Sequence, residues 1–291
     1  MKTEQEMYDL ILGIAKRDDR IRAVYLHGSR ANPDALIDSY TDYDIVFYVT
    51  EIDSFINNRD WLIDFKNIDF LFESYKNQND YFMKDINDLS QKYTWCMLYK
   101  DGNHIDLVLE IINENIDRSK IINKPIIILL DKDGCLQNES LSNDLNYIKK
   151  PHEAEYSACC SGFWWFLNYV AKGIARDQLL YAKEQFNSFN TMTLHRMTEW
   201  YIGVQTDFCV FIGRDSRSFK KYLPADIYFL YEKTYSDSNY ENFWNAVFSS
   251  CKLFSKIASE VGDYFGFVYN KHEESSMMKY LTNVRNGTFN Q

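Results

Sequence analysis

The apolar residues of this chain change their spacing near Lys150, and that change constrains the fold more than any other feature. Before it, apolar runs are short, rich in β-branched and aromatic residues, and bounded by turn-forming residues, as strands are. They fall at Arg22 to His27, Asp44 to Val49, Asn67 to Phe72, Tyr93 to Tyr99, Asn103 to Leu109 and Pro125 to Leu130. Met7, Leu10, Ile11, Ile14 and Ala15 predict a helix over residues 4 to 16, and Asp60 to Phe65 a short one. After Lys150, Gly and Pro thin out and helical periodicity takes over: His152 to Lys172, Asp177 to Gly203, Ala225 to Tyr235, Tyr240 to Gly262 and a shorter C-terminal helix. Strands first and helices afterwards predict an α+β protein, a mixed sheet with flanking helices followed by an all-helical domain. The expected domains are 1–135 and 150–291, with a linker at about 136–149. At 46% hydrophobic and 16% aromatic content, each half can build its own core.

The first half also carries chemistry. Its first strand breaks at Gly28-Ser29. Lacking a Cβ, Gly28 lets backbone approach phosphate oxygens, and the Ser29 N–H and Oγ can turn toward the terminal phosphates of a nucleotide. Asp42 and Asp44 stand at i and i+2 where the next apolar run begins, a spacing that puts both side chains on one face of a strand. Paired carboxylates are hard oxygen ligands suited to Mg²⁺, which combines a few of them with substrate phosphates. Asp101-Gly102-Asn103 is a hairpin signal, and Asp106 follows it in an apolar segment. An ionised carboxylate there calls for a cation or a hydrogen-bond donor, so Asp106 is a third metal ligand or the base that deprotonates a hydroxyl. Singly, these signals read as a turn, a solvated strand end or a cap. Together they predict nucleotidyl transfer with Mg²⁺ and a nucleoside triphosphate.

Charge narrows the partner. Residues 1 to 150 hold 18 Lys and Arg against 27 Asp and Glu, while residues 151 to 291 hold 14 against 15. The acidic excess lies in the half with the three carboxylates, which disfavours nucleic acid and favours a small cationic substrate bearing hydroxyls. No apolar run reaches membrane-spanning length, and residues 1 to 6 carry no signal-peptide core, so the expectation is a cytoplasmic protein with no membrane partner. The six cysteines lack paired metal spacing and are expected as reduced core residues. Tyr156, Phe163, Trp164, Phe166 and Tyr169 are expected in the helical core.

Gly28-Ser29-Arg30-Ala31-Asn32, Asp42-Tyr43-Asp44-Ile45, Asn103-His104-Ile105-Asp106-Leu107 and Leu130-Asp131-Lys132-Asp133 resemble the aminoglycoside 6-adenylyltransferases, the streptomycin-modifying branch of the nucleotidyltransferase fold. The helical half supports this with Lys150-Pro151, Glu155-Tyr156, Cys159-Cys160, Phe163-Trp164, Lys172-Gly173-Ile174-Ala175-Arg176, Arg196-Met197, Trp200 and Tyr240-Glu241-Asn242 in the family's order. The resemblance implies a nucleotidyltransferase-type sheet, a helical substrate-binding domain, and transfer of AMP from ATP to an aminoglycoside hydroxyl with Mg²⁺ as cofactor and pyrophosphate released. It also implies Asp42 and Asp44 as metal ligands, Gly28, Ser29 and Arg30 at the phosphates, and Asp106 as shared ligand or base. Lys172, Arg176, Arg214 and Arg217 are further candidates for phosphate contacts, each with a surface ion pair as the plainer reading.

The departures from the family concern the acceptor. Ser157-Ala158 and Ser161-Gly162 stand where family members tend to carry acidic residues, and a guanidinium-bearing drug wants carboxylates opposite it. Glu153, Glu155, Glu184 and Glu199 are the candidate replacements, and His27 stands where Glu is frequent. Two other readings follow: the same chemistry on another small alcohol, a protein or RNA, or a nucleotide-binding regulatory protein without catalysis. The intact Asp42, Asp44 and Asp106 argue against the last.

Overall fold

The computed structural model describes every residue except 34, 36, 74–91, 112–125, 135, 137–147, 211, 213–215 and 289–291. The expected strand start at Pro125, most of the expected linker, Cys135 and Arg214 lie outside the described residues. The chain divides into two compact units, Met1–Leu145 and Asn146–Gln291.

The first unit is built on a sheet of six strands: β1 (Ile21–His27), β2 (Tyr43–Val49), β3 (Ile68–Glu73), β4 (Lys92–Tyr99), β5 (His104–Ile111) and β6 (Ile127–Asp131). Their order is β3-β4-β5-β2-β1-β6. β2 and β5 run parallel while the other neighbours are antiparallel, so the sheet is mixed, as expected. The β4–β5 hairpin turns at Gly102, whose φ of +88° few other residues adopt. Helix α1 (Glu4–Arg17) opens with a capping box in which Thr3 and Glu6 satisfy each other's backbone N–H. Its Met7, Ile11, Ile14 and Ala15 share a core with Leu26, Ile45, Phe47, Trp95, Leu107 and Leu109 on one face of the sheet. Full burial of such a side chain contributes roughly 1.5–3 kcal/mol. A short helix α2 (Asp53–Asn57) was not predicted, and Asp60–Phe65 forms a 3₁₀ turn.

The second unit is helical among its described residues: α3 (Glu153–Ala175), α4 (Leu179–Gln185), α5 (Thr191–Gln205), α6 (Phe219–Tyr222), α7 (Ala225–Glu232), α8 (Tyr240–Phe265) and α9 (Lys271–Arg285). The single helix expected over Asp177 to Gly203 is divided by a π turn, Phe186–Asn190. Its added residue is held by packing: Phe186 is buried in the core, Phe189 stacks on Phe166 at 4.0 Å, and Asn190 Nδ2 donates to the Phe163 carbonyl at 2.7 Å. Tyr156, Phe163 and Trp164 are core residues as expected, whereas Phe166 and Tyr169 are only half-buried. Cys159, Cys160 and Cys251 sit in the same core as free thiols. Burial pushes Cys159 and Cys160 up to about 12. Among the described residues no helix is long and apolar enough to cross a membrane.

Candidate active site

Strict alternation along β5 sets the site. Ile105, Leu107 and Leu109 point into the core, so His104, Asp106 and Val108 take the other face and remain partly open. Asp106 is therefore not sunk in apolar surroundings, as its apolar neighbours in sequence suggest; its side chain is 36% exposed. The parallel register pairs Asp44 with Asp106, the antiparallel one pairs His27 with Asp44, and Cys96 on β4 lies opposite Asp106. Paired residues share a face, so one row across the sheet reads His27, Asp44, Asp106, Cys96. Asp42, two residues before Asp44, borders the same row.

Gly28 has a second reason to be glycine. Its φ of +71° and ψ of −149° form a backbone shape that side chains oppose, and a Cβ there would lie 2.0 Å from Asp44 Oδ2 and 2.7 Å from Asp44 Cγ. The Gly-Ser turn and the Asp-x-Asp strand are thus in direct contact, with Asp44 fitted against the bare Cα. From Gly28 the chain enters a 3₁₀ turn, Ser29–Ala31, closed by Ala31 N–H donating to the Gly28 carbonyl at 3.2 Å.

Arg30 ties the two motifs together from the other side. Its Nε donates to the Asp42 carbonyl at 3.1 Å and its Nη2 to the Thr41 carbonyl at 2.8 Å, while Nη1 lies 3.2 Å from Glu4 Oε1. The guanidinium stacks 3.8 Å above the Tyr43 ring, and the side chain is 8% exposed. So placed, Arg30 fixes the backbone that carries Asp42, a role its position in the sequence does not announce.

Sequence reasoning missed His104. Its Nδ1 lies 2.9 Å from Asp42 Oδ1 and its Nε2 lies 3.0 Å from Asp106 Oδ1. The second approach is short but poorly aligned for donation, and Asp106 Oδ1 is buried without a hydrogen-bond partner. Period-two alternation was the available signal, since it puts residue 104 on the face of residue 106. Cys96 reports how much negative charge collects here: burial, then a hydrogen bond to Asp106, then the charges of Asp106, Asp42 and Asp44 push its thiol up to about 12.

Among the described residues, no three His, Cys, Asp or Glu side chains stand close enough to chelate a metal as they are. The donors nevertheless fit Mg²⁺: three hard carboxylates border one face, one of them with an unpartnered buried oxygen, and an imidazole occupies the space between two of them.

The remaining expected residues belong to the second unit. Lys172 is exposed, its Nζ donating to Asn168 Oδ1 at 3.0 Å, and Arg176 and Arg217 are exposed as well. Lys172 and Arg176 lie one helical turn apart at the end of α3. Of the candidate acids, Glu155 caps α3 through the His152 N–H, Glu153 and Glu184 are exposed, and Glu199 lies 3.7 Å from His195 and 3.4 Å from Arg196. Beside Ser161, one of the positions where an acidic residue was missed, α9 brings Glu273: the Ser161 hydroxyl lies 2.9 Å and 3.1 Å from its two oxygens.

The streptomycin adenylyltransferase family model matches residues 1–284. An aminoglycoside 6-adenylyltransferase of Bacillus subtilis (strain 168) is 32% identical over 285 residues, covering 98% of each chain. One from Campylobacter jejuni is 32% identical over 94% of this chain and 93% of its own, and one from Staphylococcus aureus 30% identical over 94% and 96%. A crystal structure of an aminoglycoside 6-adenyltransferase from Bacillus subtilis is 29% identical, covers 98% of this chain and 99% of that one, and has a TM-score of 0.48.

Proposed function

The chain belongs to the streptomycin adenylyltransferase family, and from that membership we propose that it transfers AMP from ATP to a hydroxyl of an aminoglycoside, releasing pyrophosphate. The observation that carries the chemistry is the pairing of Asp44 with Asp106 on parallel strands, with Asp42 and the Gly28-Ser29 turn beside them. In this reading Asp42, Asp44 and Asp106 hold Mg²⁺. When bound, the ion offsets phosphate charge and stabilises the charge developing at the α-phosphoryl group.

The chain's own residues do the rest. The Ser29 N–H and Oγ contact the outgoing phosphates from the turn that Gly28 permits. Arg30 keeps Asp42 in place through the Thr41 and Asp42 carbonyls. Asp106 has two oxygens, so one can ligate the ion while the other accepts the proton of the attacking hydroxyl. We assign acceptor binding to the helical unit, residues 150–291, with Lys172, Arg176, Arg214 and Arg217 as its phosphate contacts. Glu199 and Glu273 supply carboxylates for a cationic drug, and the formal net charge of −10 favours its approach.

The test is mass spectrometry of an aminoglycoside panel that includes streptomycin, incubated with the protein, ATP and Mg²⁺, beside a pyrophosphate assay. An adduct of one AMP is expected on at least one drug. Asp44→Ala is expected to abolish turnover with the fold intact, and Asp106→Asn to lower it roughly 10²–10⁴-fold while ATP still binds. Near-normal turnover in Asp44→Ala refutes the site. No adduct and no drug binding across the panel refutes the acceptor.

A further inference from the structure

Building on the proposed metal site, we propose that His104 is a placeholder for the ion: its ring occupies the space between the Asp42 and Asp106 carboxylates, and it swings out before both can bind one cation. The two nitrogens of an imidazole face different directions, so a ring that meets one carboxylate with each fills the space between them. Its nitrogens lie 2.9 Å and 3.0 Å from Asp42 Oδ1 and Asp106 Oδ1. A Mg²⁺ at about 2.1 Å from both oxygens needs the same space, so ring and ion exclude each other. Asp106 Oδ1 is the telling atom, since it is buried and lacks a hydrogen-bond partner even with the ring beside it. The ring approaches this oxygen without satisfying it, which leaves the demand to an incoming cation.

The ring also has somewhere to go. The His104 side chain is 32% exposed on the open face of β5, so a change of rotamer takes it toward solvent without opening the core beneath. Such an arrangement weakens binding of the bare ion, because only the fraction of molecules with the ring displaced is competent. It thereby favours entry of the ion together with a nucleotide, whose phosphates add ligands.

Mn²⁺, followed by the loss of its free-ion electron paramagnetic resonance signal, tests this without reference to turnover. Metal-free wild-type protein, His104→Ala and His104→Val are titrated with and without a non-hydrolysable ATP analogue. Valine suits a strand and carries no nitrogen, and near-ultraviolet circular dichroism verifies both folds. Without nucleotide, both variants are expected to bind Mn²⁺ more tightly than wild type, by on the order of tenfold, since the ring that fills the space between two ligands is gone. A merely structural histidine would leave the affinity unchanged or weaken it, and either result overturns the proposal. Asp44→Ala with His104 intact distinguishes the underlying reading. If it binds Mn²⁺ as wild type does, or if wild type with the analogue removes no more free-ion signal than the analogue alone, the metal site itself fails and the placeholder with it.

Discussion

Replacing Gly28 by alanine separates stability from catalysis. The new Cβ would lie 2.0 Å from Asp44 Oδ2 and 2.7 Å from its Cγ, far inside van der Waals contact, so the carboxylate must leave its place. The backbone there also has a φ of +71° and a ψ of −149°, a region costing a side chain about 1–3 kcal/mol. Gly266 gives the matched control: its φ is +73° in the left-handed region at the end of α8, and a Cβ would meet nothing within 4 Å. Gly266→Ala is expected to cost about 1–2 kcal/mol, so both variants should melt lower by a few degrees, at roughly 2–4 °C per kcal/mol. Only Gly28→Ala should lose turnover well beyond its loss of stability. The assays are thermal melting and pyrophosphate release with Mg-ATP and an accepted drug, read well below both melting temperatures. If Gly28→Ala turns over like Gly266→Ala, the close fit of Asp44 against Gly28 has no part in catalysis, and the reasoning from that contact is wrong.

Two further variants probe the frame of the site. Arg30→Lys keeps the charge but not the fork that reaches the Thr41 and Asp42 carbonyls, so it should lower turnover despite the conserved charge; unchanged kinetics would refute the positioning role. At Asp101, burial alone would raise the carboxyl, but the Asn103 and Lys2 N–H groups and the Lys2 charge outweigh it and hold the group at about 2. A carboxyl depressed on folding adds stability above its unfolded value of about 3.9, lost as pH falls toward the folded one. The melting difference between wild type and Asp101→Asn should therefore be full at pH 7 and shrink between about pH 4 and pH 2; a pH-independent difference would contradict this.

Much of the fold was legible because local signals agree with it. Alternation gave the strands to within a few residues, and helical periodicity gave α1, α3 and α8. The π turn at Phe186–Asn190 was not legible, because packing of Phe189 and Asn190 against α3 and of Phe186 against Phe243 of α8 holds it rather than any local propensity. At the site, Gly28, Asp42, Asp44 and Asp106 announce themselves by type and spacing. Their mutual geometry does not, since the pairing of Asp44 with Asp106 joins segments that meet only through the sheet. Arg30 reads in the sequence as one more cation near phosphate, whereas the carbonyls it serves are set by the fold of the turn. His104 was visible only as a polar residue two places before Asp106 on the same strand, and its contact with Asp42 comes from β2 lying alongside β5.

That parallel pairing also has a consequence for how the site comes into being. Parallel neighbours cannot be joined by a tight turn, and here the partners Asp44 and Asp106 are separated along the chain by the whole of β3 and β4. Local contacts, α1 and the β4–β5 hairpin among them, need little chain closure, while β2 must wait until β5 has emerged and docked. During synthesis the nascent chain therefore carries Gly28, Ser29, Asp42 and Asp44 well before it has the strand that supplies the third carboxylate. The three carboxylates come together only once this contact between distant segments has closed.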